Sequence, residues 1–277
     1  MTDIDRTTFK AEIREAGEAL SPLRAGLLFA RGIAYPDLRP SHYLAQLDDL
    51  AEAARRALTA HTSPLTRSRA LSEWLFQTHG FHGNDPDYYD PRNSYLNEVL
   101  ERRIGIPISL SVIYLALGER LGVPVLGVGL PGHFIVAVVG EDGPLYLDPF
   151  NAGRALAVNE CADIARRATG TDEFDPDWLR PAAPRDIVAR MLNNLRGFYL
   201  RVEDWPLSLA VVEHLRDLQP EVSEHLRDLG LLHYRNGALR AAAHYFTYYL
   251  ARHPDAEDAD SVRHSRAVVV EHLARLN

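Results

Sequence analysis

Cysteine is almost absent from this chain of 277 residues: Cys161 is the only one. An internal disulfide is thereby excluded, and so is a zinc site built on several thiolates. Cytoplasm is the compartment expected for so thiol-poor a protein. Lysine is nearly missing too, with Lys10 alone among 30 basic residues. The arginines are scattered, and the net charge is −8. That balance argues against a nucleic-acid groove. The longest apolar run, near Ile108–Leu117, is broken by Ser109 and Ser111 and is too short to span a bilayer. Met1 to Glu15 mixes charged and apolar residues, so no secretory leader is expected.

A repeat of 34 residues is present near the C-terminus. Pro220 and Pro254 are separated by 34, as are Leu195 and Leu229, and Tyr199 and His233. One copy has Leu226, Leu229, Gly230, His233, Ala242, Phe246 and Pro254 at the tetratricopeptide positions. The copy before it has Leu192, Leu195, Tyr199, Ser208, Val212 and Pro220, with Arg196 where glycine is expected. Small residues let paired helices approach, aromatics fill the gaps, and proline ends the second helix. Val262–Leu276 reads as a solvating cap helix. Two repeats and a cap bury little alone, so this region is expected to lean on what precedes it.

The first part reads as helices over Phe9–Leu20, Arg24–Ile33, Ser41–Ala60, Pro64–His79 and Asn93–Arg103. Pro107 suits a helix start, and Gly122 ends that helix. Being apolar almost all round at its start, it is expected to be central. Strands are predicted at Val123–Leu130, His133–Val139 and Leu145–Asp148, with a tight turn at Gly140-Glu141-Asp142-Gly143. If Val139 faces Pro144, Ile135 faces Asp148, and alternation brings His133 and Asp148 to one face, a step apart. An imidazole–carboxylate hydrogen bond is expected there, the arrangement that orients a general base.

Taken together, Asn93–Arg103, GIPISL from Gly105, GLPGHF from Gly129 and LYLDPFNAG from Leu145 resemble the SirB-type family of transglutaminase-like proteins with C-terminal tetratricopeptide repeats. The resemblance covers about Leu28 to Leu276. It implies an α+β, papain/transglutaminase-like core with N-terminal helices over residues 1–183, then an all-α repeat domain over 184–277. It also implies a Cys–His–Asp triad with the thiol at the start of the central helix. His133 and Asp148 match two members, and Gly122-Val123-Pro124 matches the helix end. The nucleophile position falls on Pro107, and Ser109 and Ser111 are the nearest hydroxyls.

The site candidates are therefore Ser109, Ser111, His133 and Asp148, each with a plainer alternative. Both serines suit capping and packing at a helix start, His133 could simply bond backbone, and Asp148 could form a turn before Pro149. Cys161 falls beyond Asp148 and reads as a plain thiol. His79-x-x-His82, with Asp85, Asp87 and Asp90, could seed a metal site, but the loop is rich in Gly and Pro and a solvated loop near the cleft is the plainer reading. Asn93 and Asn97 read as helix-start residues that the resemblance keeps near the cleft. No cofactor or metal is expected. The leading reading is a non-catalytic protein- or peptide-binding module, with the repeats as recognition surface. The alternative is a serine-type hydrolase or acyl transferase on peptide-like amides.

Overall fold

A computed structural model describes residues 3–141 and 143–276. Asp142, the third residue of the expected tight turn, lies outside the described residues. The N-terminal helices are α1 (Asp3–Ala16), α2 (Pro22–Ile33), α3 (Pro40–Ala57) and α4 (Pro64–Ser72). Three of them, α2 to α4, begin on proline, whose fixed φ and missing N–H suit the first helical position. A π-helical turn, Glu73–Thr78, extends α4 where a continuous helix to His79 was expected. It seats the Trp74 ring 3.6 Å from the His79 ring.

The short strand β1 (His82–Gly83) pairs in parallel with β2 (Ile104–Gly105), on either side of α5 (Leu96–Arg102). Next comes the central helix α6, Pro107–Leu121, buried along its whole first half. Gly122 closes it at φ 66°, a conformation that costs glycine no steric penalty. Then β3 (Val125–Val128), β4 (Ile135–Gly140), β5 (Gly143–Asp148) and β6 (Arg154–Leu156) form an antiparallel sheet in sequence order. Both earlier strands are shorter than predicted, so His133 lies in the approach to β4 and outside it. Val139 faces Pro144 and Val136 faces Leu147, the register argued from the turn.

The sheet has two dry faces. Val136, Val138 and Leu147 belong to the main core with α6. Ile135, Ala137, Tyr146 and Leu156 pack instead with Cys161 of α7, Val158–Thr169.

Beyond Pro184 the chain is helical: α8 (Pro184–Arg201), α9 (Trp205–Leu218), α10 (Glu224–Arg235), α11 (Leu239–Arg252) and α12 (Ala259–Arg275). These are two hairpins and a cap. In the second, a Cβ on Gly230 would lie 2.5 Å from Phe246 Cδ1, so the bulky ring requires the glycine. The first hairpin reverses the sizes, with Arg196 and the smaller Val212 at those places. Arg196 is free to reach Asp228 of the next repeat at 2.7 Å.

The first hairpin is not separate from the N-terminal part. Ile187, Leu192, Leu195, Val211 and Leu215 share one buried cluster with Phe9, Leu27, Phe29 and Leu96. Tyr95 and Tyr199 meet hydroxyl to hydroxyl at 2.8 Å in that interior. Arg6 and Lys10 of α1 pair with Asp217 of α9.

Candidate functional site

Asp148 ends β5 and is 1% exposed. Its Oδ1 accepts from the Phe150 and Asn151 backbone N–H groups at 3.1 and 3.3 Å. Its Oδ2 accepts from Asn151 Nδ2 at 2.8 Å and from His133 Nε2 at 2.9 Å. Burial alone would raise the carboxyl pKa. Bonds from His133 and Asn151 outweigh it and hold the pKa below the usual carboxylate value. An ionised carboxylate only accepts, so His133 Nε2 carries the proton of this bond. The His133 side chain is 13% exposed, and Phe150 meets its ring edge-on at 6.2 Å.

The sequence-predicted residues thus divide. His133 and Asp148 come together. Ser109 and Ser111 are both wholly buried and, among the described residues, neither bonds His133. Ser109 Oγ accepts from Ile106 N at 3.0 Å and donates to Asn93 O at 2.6 Å, clasping the helix start to the preceding loop. Ser111 Oγ points to Phe134 O at 3.5 Å, a long contact. Pro107, in contrast, lines a cavity of about 100 Å³ together with His133, Tyr88, Gly132, Arg190 and Asn194. The helix-start residue that shares this cavity with the imidazole therefore offers no nucleophile.

Cys161 is fully buried among Val128, Leu130 and Ile135. Burial, then the carboxylates of Glu160 and Asp148, push its thiol up to about 11. A thiol so disposed is protonated at neutral pH. His79 and His82 are each held locally, by Trp74 and by Gly80 O. Among the described residues, no three His, Cys, Asp or Glu side chains converge as a metal site would require.

Two residues act at the cleft in ways that sequence reasoning did not assign. Asn93 is completely buried: its Nδ2 donates to Asp87 O and its Oδ1 accepts from Asn84, so it holds the 84–93 loop over the cleft. The asparagine was visible near the motif, but its helix-start reading hid this role. Arg190, on α8, donates through Nη2 to Leu130 O and His133 O, both at 2.7 Å, and its guanidinium faces the Phe134 ring at 5.5 Å. No local signal marks it, because it comes from the other end of the chain's architecture.

A papain-like helix start sharing a cavity with a His–Asp pair at the sheet end, with helical repeats beyond, defines a transglutaminase-like core joined to a tetratricopeptide array. The family model for the transglutaminase-like superfamily matches residues 41–193, and one for the tetratricopeptide repeat matches 195–267. The chain belongs to the transglutaminase-like superfamily. A UPF0162 protein of Xylella fastidiosa (strain Temecula1) is 38% identical over 250 residues, covering 89% of each chain. Human F-box only protein 21 is 40% identical over 100 residues, 33% of this chain and 16% of its own length. The crystal structure of menin aligns with 95% of this chain and 70% of its own at TM-score 0.41 and 11% identity, too distant to carry an argument. Among the described residues no helix is long and apolar enough to cross a membrane.

Proposed function

We propose that this SirB-type chain is a non-catalytic transglutaminase-like module that binds a protein or peptide partner in the cytoplasm, with the first repeat hairpin forming part of the cleft. One observation carries the reading: Pro107, with no nucleophile, lines the cavity that also holds His133. Acyl transfer from an amide needs an activated nucleophile beside the base. The imidazole–carboxylate pair remains without one. Tetratricopeptide arrays present extended surfaces suited to protein partners, which agrees with a binding role.

The second reading is a serine-type hydrolase or acyl transferase on peptide-like amides. Ser111 is the serine it would use, because its contact to Phe134 O is the looser one. That hydroxyl would have to turn from its buried site toward Nδ1 of His133. Parallel labelling with a fluorophosphonate and an iodoacetamide, read by intact mass, tests both readings. The binding module predicts no adduct with either. A fluorophosphonate adduct on Ser109 or Ser111 that disappears in His133→Ala would establish the hydrolase instead.

A further inference from the structure

The His133 cavity continues along α8. A second cavity of about 160 Å³ shares Tyr88, Ile106 and Asn194 with it and adds Tyr89, Gly197 and Arg201. Together they form a groove between the 84–94 loop and one face of α8.

Three features of that groove are only partly accounted for by contacts within the chain. First, Arg190 spends Nη2 on two carbonyls, leaving Nε and Nη1 without a protein acceptor among the described residues. Second, Arg201 lies over the Tyr89 ring at 4.2 Å and pairs with no carboxylate among the described residues. Asp90, in the groove wall, is already held by Arg92 and Arg102. Two unneutralised arginines in one groove stand out in a chain of net charge −8. Third, Gly197 sits well inside α8, and a Cβ there would meet nothing within 4 Å. Mid-helix glycine is unfavourable, and no packing of this protein asks for it. An exposed glycine on a groove floor lets another backbone approach closely.

We propose that this groove binds an extended acidic peptide segment of a partner protein, its backbone passing over Gly197 and two side-chain carboxylates meeting Arg190 and Arg201. The inference rests on the binding-module reading and names the chemistry of its ligand. Arg190 and Arg201 are 11 residues apart on one helix. At about 1.5 Å per residue their attachment points are roughly 16 Å apart. An extended chain covers that in about five residues at ~3.3 Å each. A single terminal carboxylate serves only one arginine, so the acidic groups belong to side chains about five positions apart. Planar guanidinium groups suit such carboxylates, and Tyr88 and Tyr89 offer exposed rings for the side chains between.

The full-length protein is screened by fluorescence anisotropy against a positional-scanning library of fluorescein-tagged heptapeptides, acetylated and amidated at their ends. The expected selection is Asp or Glu at two positions about five apart. Binding of the selected peptide should fall tenfold or more in Arg201→Gln and in Arg190→Gln, and weaken with salt. Gly197→Leu should abolish binding while raising the melting temperature, which separates a blocked groove from a misfolded protein. Arg201 is exposed, so its variant keeps the test open should Arg190→Gln lower stability. Selection of neutral peptides whose binding is lost in Gly197→Leu would overturn the acidic class and leave the binding cleft standing. Binding that depends on a free C-terminus would overturn the side-chain assignment. Failure to select any peptide would fell both readings.

Discussion

Pro107→Cys should put a thiol where the resemblance places a nucleophile. Pro107 is the first residue of a 15-residue helix and lines the cavity that also holds His133. A thiol there would feel the positive helix end and the adjacent imidazole, surroundings that lower thiol pKa values from about 8.5 to between ~3.5 and ~7.5. With a value of about 6, roughly half would be thiolate at pH 6, against about 0.3% of an ordinary cysteine, a gain of some 150-fold. Nucleophilicity falls with pKa by a Brønsted slope of about 0.4–0.5, so the net gain in alkylation rate is roughly tenfold. The assay is iodoacetamide alkylation at pH 6 followed by intact mass. The unmodified protein supplies a silent background, since Cys161 is buried and its pKa is pushed up to about 11. Adding His133→Ala should remove most of the gain. An alkylation rate equal to that of a free cysteine peptide, unchanged by His133→Ala, would refute the geometry argued for the helix start.

Asp148→Asn keeps an acceptor for His133 but loses the charge, and should destabilise the protein by about 1.5–3 kcal/mol at neutral pH. The folded pKa of Asp148 lies below its ordinary 3.8. Its contribution is therefore present above that value and lost as pH falls through the folded one, so the urea-derived stability of the variant should decline less steeply than wild type on acidification below pH 4. A fragment of residues 184–277 should lack a cooperative melting transition, because Ile187, Leu192 and Leu215 lose the N-terminal side chains that cover them; an ordinary monomeric melt would contradict this. Gly230→Ala should cost about 1–3 kcal/mol by pressing on Phe246, and pairing it with Phe246→Leu should recover part of that in thermal melts.

The elements legible in the sequence were those whose period or punctuation repeats over many residues. The central helix was bounded by Pro107 and Gly122, and it spans Pro107–Leu121. The hairpin register followed from one short turn and alternation, which fixes every facing pair once one is known. The repeats followed from a 34-residue spacing. What escaped is short or made at long range. Two- and three-residue strands such as β1, β2 and β6 show no period. The π-helical turn at Glu73–Thr78 keeps a helical apolar pattern while shifting its phase. Asn93 and Arg190 act through partners whose nearness only the fold creates.

The same distinction explains how a His–Asp pair can persist beside an unreactive proline. Asp148 binds more than His133: it takes two backbone N–H groups and the Asn151 amide, and so shapes the turn after β5. That turn sets Phe150 against Gly83, where a Cβ would come within 2.6 Å of the ring, so only glycine admits this contact. His133 is fixed from both ends, by Asp148 at its ring and by Arg190 at its carbonyl. Arg190 in turn belongs to α8, which floors the groove. Replacing the pair would loosen the sheet end, the strand pair at Gly83 and the docking of α8 at once. A binding cleft needs rigid walls more than it needs a base, because ordering a loose wall costs affinity at the moment of binding. In the binding module proposed above, the His133–Asp148 pair would have a physical task without chemistry: through Arg190 it ties the end of the sheet to α8, one wall of the groove.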